Sequence, residues 1–260
     1  MRQHATNPAV QVKVLSGATV SSCIMCGRYT LLISPEYLLS LFEIGALPPD
    51  MPPPAARYNI APTQPILIVR ASNRPGEREV AHVVWGLIPP WSKDPSIGSR
   101  MINARSETAA EKPSFRNSLR RRRCLIPATG FYEWRKNSGG TKQPYVMHRE
   151  DGSPFAMAGI WETWRGPGDG EVESAAILTT GPNSLMSSIH DRMPVIVDPK
   201  DFPLWLDPRV DNTAKVQHLL RPAPDGLLQA TPVSMQVNNP RNDGPDCIAP
   251  LADDSMMDLS

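Results

Sequence analysis

Short apolar runs, each closed by polar residues or by proline, recur along the chain from about residue 26 onward. Runs of this length that are rich in Val, Ile and aromatic residues are typical of β-strands. The pattern predicts strands at Cys26–Leu32, Ile66–Val69, Glu79–Trp85, Cys124–Ile126, Tyr145–His148, Phe155–Trp161, Ala175–Thr180 and Thr231–Val237. The segment Asn73–Gly76 predicts a turn between the second and the third of these strands.

Helices are predicted to be few and short. Ser34 is an expected N-cap with Pro35 at the first helical position, and this helix ends near Phe42. Further helical turns are predicted at Pro182–Leu185, Phe202–Leu206 and Thr213–Leu220. The 29 prolines are about twice the average usage, which disfavours long helices. We therefore expect an α+β fold with a strand-rich, mainly antiparallel or mixed, barrel-like core and a few short flanking helices.

The pattern divides the chain into one domain and two flanking segments. Residues 1–24 show little periodicity and are expected to be an extension that is disordered or absent from the mature protein. Residues 25–249 form the predicted single domain, and residues 250–260 are expected to be disordered. Gln11 and Lys13 interrupt the only Val-rich stretch near the start, so no secretory signal is predicted. No apolar run approaches the roughly 18 residues of a membrane span, and a cytoplasmic protein is expected.

The overall charge does not indicate a nucleic-acid-binding protein. The 27 Lys and Arg residues are balanced by 26 Asp and Glu residues, which leaves a net charge of +1. The distribution is less even, because Arg116 and the run Arg120–Arg123 place five arginines within eight residues. Such a run is either a solvated face or a patch that contacts phosphates.

The cysteines indicate neither a disulfide scaffold nor a metal site. The chain has four cysteines, Cys23, Cys26, Cys124 and Cys247. So few cysteines in a chain of this length are typical of a protein from a reducing compartment. The first two form a C-x-x-C pair, but no second pair accompanies them, and His4 and His82 are not at ligand spacing. We therefore expect no metal and no cofactor.

Four polar islands interrupt the apolar pattern with groups that can do chemistry. They are Met25–Thr30, Ile102–Thr108, Gly130–Trp134 and Ile189–Pro194. Taken singly they are weak signals, because a buried Glu or a lone His is often structural and an intracellular Cys often behaves as a small apolar residue. Asn103 and Arg105 alternate along a segment expected to be extended, so their side chains would share a face.

Together with their neighbours, these islands resemble the SOS response-associated peptidase (SRAP) family, the abasic-site-processing proteins. The resemblance runs from Met25 to about Ala249. It rests on motifs in the family's order, namely Met25–Tyr29, Tyr58–Thr63, Trp85–Pro89, Asn103–Thr108, Arg123–Pro127 with Gly130–Trp134, and His190–Pro194. The late segment Val233–Asn238 is similar to the family's closing strand.

The resemblance implies that abasic sites in single-stranded DNA are the target. Their open-chain sugar exposes an aldehyde at C1′, and an N-terminal Cys presents an amine and a thiol on adjacent carbons. The amine forms a Schiff base and the thiolate closes onto the same carbon, which gives a five-membered thiazolidine. Both groups titrate near neutrality, at about 7.7–8.0 and about 8.5. An internal Cys would give only a readily reversed hemithioacetal.

Residue by residue, the resemblance implies a catalytic set and a DNA-binding set. Cys26 would be the nucleophile, Glu133 a general acid/base whose pKa its flanking aromatics raise, His190 a second proton-transfer group, and Asn103 an orienting group. Arg105 would hold a DNA phosphate, and Arg28, Asn59 and Arg192 would add DNA contacts. Trp85 is either a stacking platform beside the lesion or a core residue.

The sequence departs from the family pattern because 25 residues precede Cys26. With these attached, the nitrogen of Cys26 is an amide and forms no Schiff base. Met25 is the true initiator, or Cys26 cleaves its own upstream peptide bond, or the extension is retained and the protein binds DNA without stable capture. We expect the first, because removal of Met25 would expose the amine of Cys26.

Other functions use the same residues. A thiol peptidase would have Cys26 attacking a peptide carbonyl, His190 as the base and Asn103 as the orienting group. A non-catalytic module would bind single-stranded DNA in a salt-dependent way, and a zinc-binding structural protein ranks last. A monomer associated with the nucleoid is the working expectation.

Overall fold

The structure is a computed structural model that describes residues 27–166 and 170–251. The predicted extension at 1–24, together with Met25 and Cys26, lies outside the described residues. Most of the C-terminal segment predicted to be disordered also lies outside them.

Strands dominate the described part of the chain. They are β1 (Tyr29–Leu31), β2 (Arg57–Ile60), β3 (Pro65–Ala71), β4 (Arg78–Trp85), β5 (Asn103–Arg105), β6 (Arg123–Ala128), β7 (Gly130–Lys136), β8 (Lys142–His148), β9 (Phe155–Arg165), β10 (Glu171–Thr180), β11 (Met193–Pro194), β12 (Ile196–Val197) and β13 (Gln229–Pro232). The α-helices are α1 (Pro35–Phe42), α2 (Arg116–Arg121), α3 (Ser184–Ser187) and α4 (Phe202–Leu206). No helix in the described ranges has the length and apolar character needed to cross a bilayer.

Five strands close into a barrel. They are hydrogen-bonded in the order β10, β4, β3, β6 and β9, and β9 pairs with β10 again. The pairings of β10 with β4 and β5 are parallel, and the other pairings in this sheet are antiparallel. The expected α+β fold with a mixed, barrel-like core and short helices is therefore confirmed.

A second sheet packs against the barrel. Its five strands are antiparallel, in the order β13, β8, β7, β1 and β2. Aromatic contacts join the sheets, because Tyr29 meets Trp85 edge-on at 5.4 Å and Phe131 meets Phe155 at 6.4 Å between ring centroids. One hydrophobic core includes residues of both sheets.

Most predicted elements are present, and α1 begins as predicted. The Ser34 side chain accepts a hydrogen bond from the backbone N–H of Tyr37, and Pro35 occupies the first turn. The helix ends at Phe42 because Glu43 turns into the left-handed region at φ 52°.

Two of the expected elements were wrong in detail. The strand expected at Thr231–Val237 ends at Pro232, and Met235–Asn238 forms a 3₁₀ turn whose carbonyls bond to side chains instead of a neighbouring strand. The helix expected at Thr213–Leu220 is a pair of 3₁₀ turns.

The segment between β4 and β5 depends on a close approach of two glycines. Gly86 has φ +132°, and a Cβ built on it would lie 2.5 Å from the carbonyl oxygen of Gly98. A Cβ on Gly98 would lie 2.6 Å from the carbonyl oxygen of Gly86. The Leu87 N–H also donates a hydrogen bond to Met101 O at 3.0 Å. The glycine contact and this hydrogen bond together hold the backbone that leads into Asn103.

We predict that Gly86→Ala destabilises the protein by at least about 1–3 kcal/mol, since it adds both backbone strain and a backbone clash. Gly139→Ala is the matched control, because a Cβ at that glycine meets nothing within 4 Å. The free energy of unfolding of the control, measured in urea, should stay within about 0.5 kcal/mol of the wild-type value. Equal midpoints for the two variants would contradict the proposed packing.

Candidate active site

Glu133 lies beside the first described residues of the chain. Antiparallel pairing puts Tyr29 opposite Phe131, and Tyr132 N–H donates to Arg28 O at 3.0 Å. This register, continued to the next pair, puts Gly27 opposite Glu133. Gly27 directly follows Cys26 in the sequence, and Cys26 itself lies outside the described residues. A carboxyl group is thus placed next to the start of the predicted domain.

The side chain of Glu133 is buried, with 2% of its surface exposed. It lies on the same face of β7 as Phe131, which packs against the barrel, because side chains alternate along a strand. Tyr132 and Trp134 lie on the opposite face, where their rings are 6.4 Å apart. These two sequence neighbours therefore lie on the other face of β7 from the Glu133 side chain, and their expected effect on it stays a prediction.

Asn103 and Arg105 lie on β5, at the edge of the barrel. Asn103 pairs with Ile177 and Arg105 with Thr179 of β10. Ala104 is completely buried, whereas Arg105 is exposed. The expected extended segment is confirmed, and alternation puts the Asn103 and Arg105 side chains on one face of the strand.

The His190–Pro194 motif meets β5 at the end of β10. Thr179 pairs with Arg105 on one side and with Pro194 on the other. Arg192 forms a bidentate ion pair with Glu107 at 2.6 and 2.8 Å and donates to Thr179 O at 2.6 Å. The two motifs are thereby clamped together.

Arg192 is therefore an anchor in this structure. Its side chain is only 12% exposed, and its two terminal nitrogens bind protein oxygens. The ion pair with Glu107 holds the guanidinium in this structure, and its expected contact with DNA stays a prediction. The hydrogen bonds from Arg192 lower the pKa of Glu107 below its usual value of 4.5.

His190 is held through both its backbone and its ring. Its backbone N–H donates to Met186 O at 2.8 Å, and its side chain is 17% exposed. The ring Nδ1 lies 3.2 Å from the backbone nitrogen of Arg192 and 3.0 Å from a carboxylate oxygen of Asp191. These contacts orient the ring within the His190–Pro194 motif.

A series of contacts joins the Glu133 side of the site to the Asn103 side. Tyr29, two residues after Gly27, packs its ring against Trp85. The Trp85 indole N–H donates to Ile102 O at 3.0 Å, and Ile102 precedes Asn103. These contacts connect the start of β1, which pairs with β7, to the residue before β5.

The burial of Trp85 decides between its two expected roles, a stacking platform and a core residue. Its side chain is completely buried, so no DNA base can reach the ring. The alternative, a core Trp, is the observed one.

Arg28 and Asn59 bind the segment from Val237 to Asp243, which we call the C-terminal segment. Asn59 is completely buried, and its amide nitrogen donates to Val237 O at 3.1 Å and to Asn242 O at 2.7 Å. Arg28 donates to the Asn59 side-chain oxygen at 2.9 Å and to Val237 O at 2.7 Å. A DNA contact by Asn59 was a wrong expectation, and the principal contacts of Arg28 are internal.

Asp243 completes this attachment. Its Oδ1 accepts the backbone N–H groups of Tyr58 at 2.6 Å and Asn59 at 2.7 Å, and its other oxygen pairs with Arg57. The C-terminal segment is thereby fastened to β2 and, through Arg28, to the residues that precede β1.

Sequence reasoning missed one exposed aromatic residue, Trp91, with 58% of its surface accessible. It follows Pro89 and Pro90 in the segment between β4 and β5, where no apolar period marks it. The Trp164 indole N–H donates to Ser92 O at 2.7 Å and holds the turn that carries Trp91. An apolar residue isolated in a Pro-rich loop was the only available signal.

Within the described ranges, no group of three or more His, Cys, Asp or Glu side chains is arranged to hold a metal ion. The groups at the candidate site are a carboxyl, an amide, an imidazole and an exposed guanidinium. This set is suited to proton transfer and to binding an anion.

Known proteins share both the sequence and the fold. The family model described as SOS response associated peptidase (SRAP) matches residues 25–240. The abasic site processing protein YoqW of Bacillus subtilis is 41% identical over 224 residues, which are 86% of this chain and 99% of that protein. YedK of Escherichia coli, also named an abasic site processing protein, is 33% identical over 87% of this chain and 100% of its own.

Solved structures agree with this match. A crystal structure of a protein from Bordetella bronchiseptica aligns with a TM-score of 0.69 and 27% identity, over 81% of this chain and 100% of that one. A second, from Bacteroides thetaiotaomicron, aligns with a TM-score of 0.67 and 30% identity, over 75% and 85% of the two chains. A closed barrel and a second antiparallel sheet form the fold that these proteins share. This chain belongs to the SRAP family.

We predict a pH-dependent effect of Glu107→Gln on stability. Because folding lowers the pKa of Glu107, its ion pair stabilises the protein above about pH 4.5, and this contribution is lost as the pH falls through the lowered pKa. Glu107 is 51% exposed, so the difference in unfolding free energy at about pH 6 should be no more than about 1 kcal/mol. It should shrink as the pH falls through the lowered pKa of Glu107.

The control for this prediction is Glu111→Gln, which removes the same charge from an exposed position four residues further along the chain. Urea unfolding of both variants and the wild type at each pH measures the effect. A Glu107→Gln deficit that stays constant down to about pH 3 would exclude the ion pair as its cause.

Proposed function

We propose that this protein captures abasic sites in single-stranded DNA as a covalent crosslink, with Cys26 as the first residue of the mature protein. The observation that supports this most strongly is the pairing of β1 with β7, because its register, continued beyond Tyr29, brings buried Glu133 opposite Gly27, the residue after Cys26. The relatives named abasic site processing proteins support the same target.

The proposed reaction joins one aldehyde to one aminothiol. The amine of Cys26 adds to C1′ of the open sugar, and loss of water leaves a Schiff base. The thiolate then forms an S–C1′ bond, the C=N electrons move to nitrogen, and nitrogen takes a proton. The product is a thiazolidine, and one water is released in total.

Proton transfer is assigned to Glu133 and His190. Glu133 would protonate the sugar ring oxygen during opening and the leaving hydroxyl during dehydration, and then take protons back from the amine and thiol. His190 would assist this proton transfer, and the contacts at its Nδ1 support an oriented ring.

Asn103 and Arg105 are assigned to orientation and DNA binding. Their shared face of β5 supports a division in which Asn103 orients the amine or sugar and Arg105 binds the adjacent phosphate. Arg105 is exposed, which leaves its guanidinium accessible to a DNA strand. Glu107 and Arg192 hold these residues in place.

The free amine requires that residues 1–25 be absent. The family match that begins at residue 25 supports Met25 as the initiator, whose removal would expose Cys26. If the extension is retained, the same site would bind DNA without forming a Schiff base.

A thiol peptidase is the alternative that the family's description favours. Cys26 would then attack a peptide carbonyl with His190 as the base, and the product would be a cleaved peptide. A non-catalytic DNA-binding module would give neither a crosslink nor a cleaved peptide. The products therefore distinguish the three functions.

We predict that protein beginning at Cys26 forms a denaturation-resistant adduct with single-stranded DNA that contains one abasic site. Cys26→Ala should form none. Glu133→Gln should slow adduct formation roughly 100-fold, because a general acid/base is removed. Single-turnover rates from denaturing gels are the measurement.

Glu162→Gln is the matched control, because Glu162 is also 2% exposed but lies on β9 beside Arg122. It should capture DNA at close to the wild-type rate. Equal rates for Glu133→Gln and wild type would refute the role of Glu133, and capture by protein that retains residues 1–25 would refute the role of the amine.

We further predict that Trp91, and not Trp85, provides the stacking surface for DNA. Trp91→Ala should weaken binding to intact single-stranded DNA by about 1–3 kcal/mol, the usual value of one base–aromatic stack. Tyr37→Ala, at another exposed aromatic that is 47% accessible, should leave the affinity unchanged. Fluorescence anisotropy tests both, and equal losses would indicate a nonspecific aromatic effect.

A further inference from the structure

Four consecutive arginines line one cleft away from the candidate site. The cleft has a volume of about 540 Å³ and lies between α2 with the two residues after it, the end of β3 with the two residues after it, Trp161 of β9 and the C-terminal end of α4. Among the described residues, Arg120, Arg121, Arg122 and Arg123 all line it, and no Asp or Glu does. We call it the α2 cleft. Trp161 pairs with Ala175, four residues before Thr179, so it lies about 13 Å along β10 from the candidate site.

The base of the α2 cleft holds a buried positive charge. Arg123 is 3% exposed and donates to the carbonyl oxygens of Leu119 at 2.9 Å, Arg120 at 2.7 Å and Asp207 at 2.5 Å. Carbonyl oxygens satisfy its N–H groups without neutralising its charge. The carboxylate of Asp207 instead pairs with Arg209 at 2.9 Å. The charge of Arg123 is therefore not cancelled by an ion pair within the described part of the chain.

The outer arginines also outnumber the carboxylates that pair with them. Arg120 and Arg121 are 50% and 69% exposed and share one carboxylate, that of Asp211, at 3.7 Å each. Arg122 pairs with buried Glu162 at 2.5 Å. Four guanidinium groups thus face two carboxylates, and a concave surface with this excess attracts anions.

The position of Arg122 is fixed before any ligand arrives. Its guanidinium lies 5.6 Å from the Trp161 ring centroid, and Arg70 lies 4.2 Å from the same ring. Arg70 is itself held by Glu79 and Glu173 at 2.7 Å. A pre-positioned guanidinium loses less conformational entropy when it binds an anion.

We propose that the α2 cleft binds phosphate groups as a site separate from the capture site. Guanidinium groups match phosphate oxygens in charge and in paired hydrogen-bond geometry. Asn73 and Asn117 add neutral polar groups to the lining. The phosphates belong either to the backbone of a bound DNA strand or to a small phosphorylated molecule, and this inference does not depend on capture chemistry.

The test compares a double variant, Arg120→Ser with Arg121→Ser, with a control of equal charge change, Arg149→Ser with Arg165→Ser. The control arginines lie outside the cleft lining, and each pairs with a carboxylate of its own, Asp151 or Glu171. The probes are a fluorescent single strand of intact DNA, measured by anisotropy between about 0.05 and 0.2 M salt, and sodium tripolyphosphate, measured by calorimetry. A third variant, Arg120→Lys with Arg121→Lys, keeps the charge, and thermal unfolding checks that all variants fold.

If the phosphates are those of DNA, the Ser double variant should bind the strand roughly tenfold more weakly. Its salt slope should fall by about 1.4, while the control stays near the wild type and the Lys variant retains most of the binding. If the phosphates belong to a small molecule, the Ser double variant should bind DNA with unchanged affinity, and its heat of tripolyphosphate binding should be lost. The proposal would be overturned if the Ser variant bound both probes as tightly as the wild type does. It would also be overturned if the wild type bound neither the DNA strand nor tripolyphosphate.

Discussion

The antiparallel pairing of β1 with β7 determines which groups meet in the candidate site. The hydrogen bond from Tyr132 N–H to Arg28 O sets the register, and this register puts Gly27 opposite Glu133. Because side chains alternate along a strand, a slip of one residue would turn Glu133 to the opposite face of β7. The position of the acid relative to the start of the domain therefore depends on a backbone interaction.

Side chains from distant parts of the chain hold this register in place. Arg28 binds Asn59 and the carbonyl of Val237, and Asp243 binds the backbone of β2. On the other side of the site, the Arg192–Glu107 pair fastens the histidine motif to β5 and β10. The first set relies on buried hydrogen bonds, and the second on a partly exposed ion pair. These polar residues therefore hold the elements that carry the candidate site.

The sequence pattern predicted the strands with clear apolar alternation and the helix capped by Ser34. It did not predict β7, because Glu133, Arg135 and Lys136 break the apolar pattern of that strand. The internal roles of Arg28 and Asn59 were unpredictable for another reason, since their partners lie 209 and 178 residues away and are backbone carbonyls. The sequence pointed to Trp85 as a candidate platform and not to Trp91, because only tertiary packing separates a buried ring from an exposed one.

We propose that the amine and thiol of Cys26 together form the bond to the lesion. Tandem mass spectrometry of the proteolysed adduct, formed from protein made from its native gene, tests this bond. We expect a peptide that begins at Cys26 and has gained the sugar fragment minus one water, with both the nitrogen and the sulfur blocked. An adduct on a lysine or on another cysteine, or one on a peptide that still includes Met25, would contradict it.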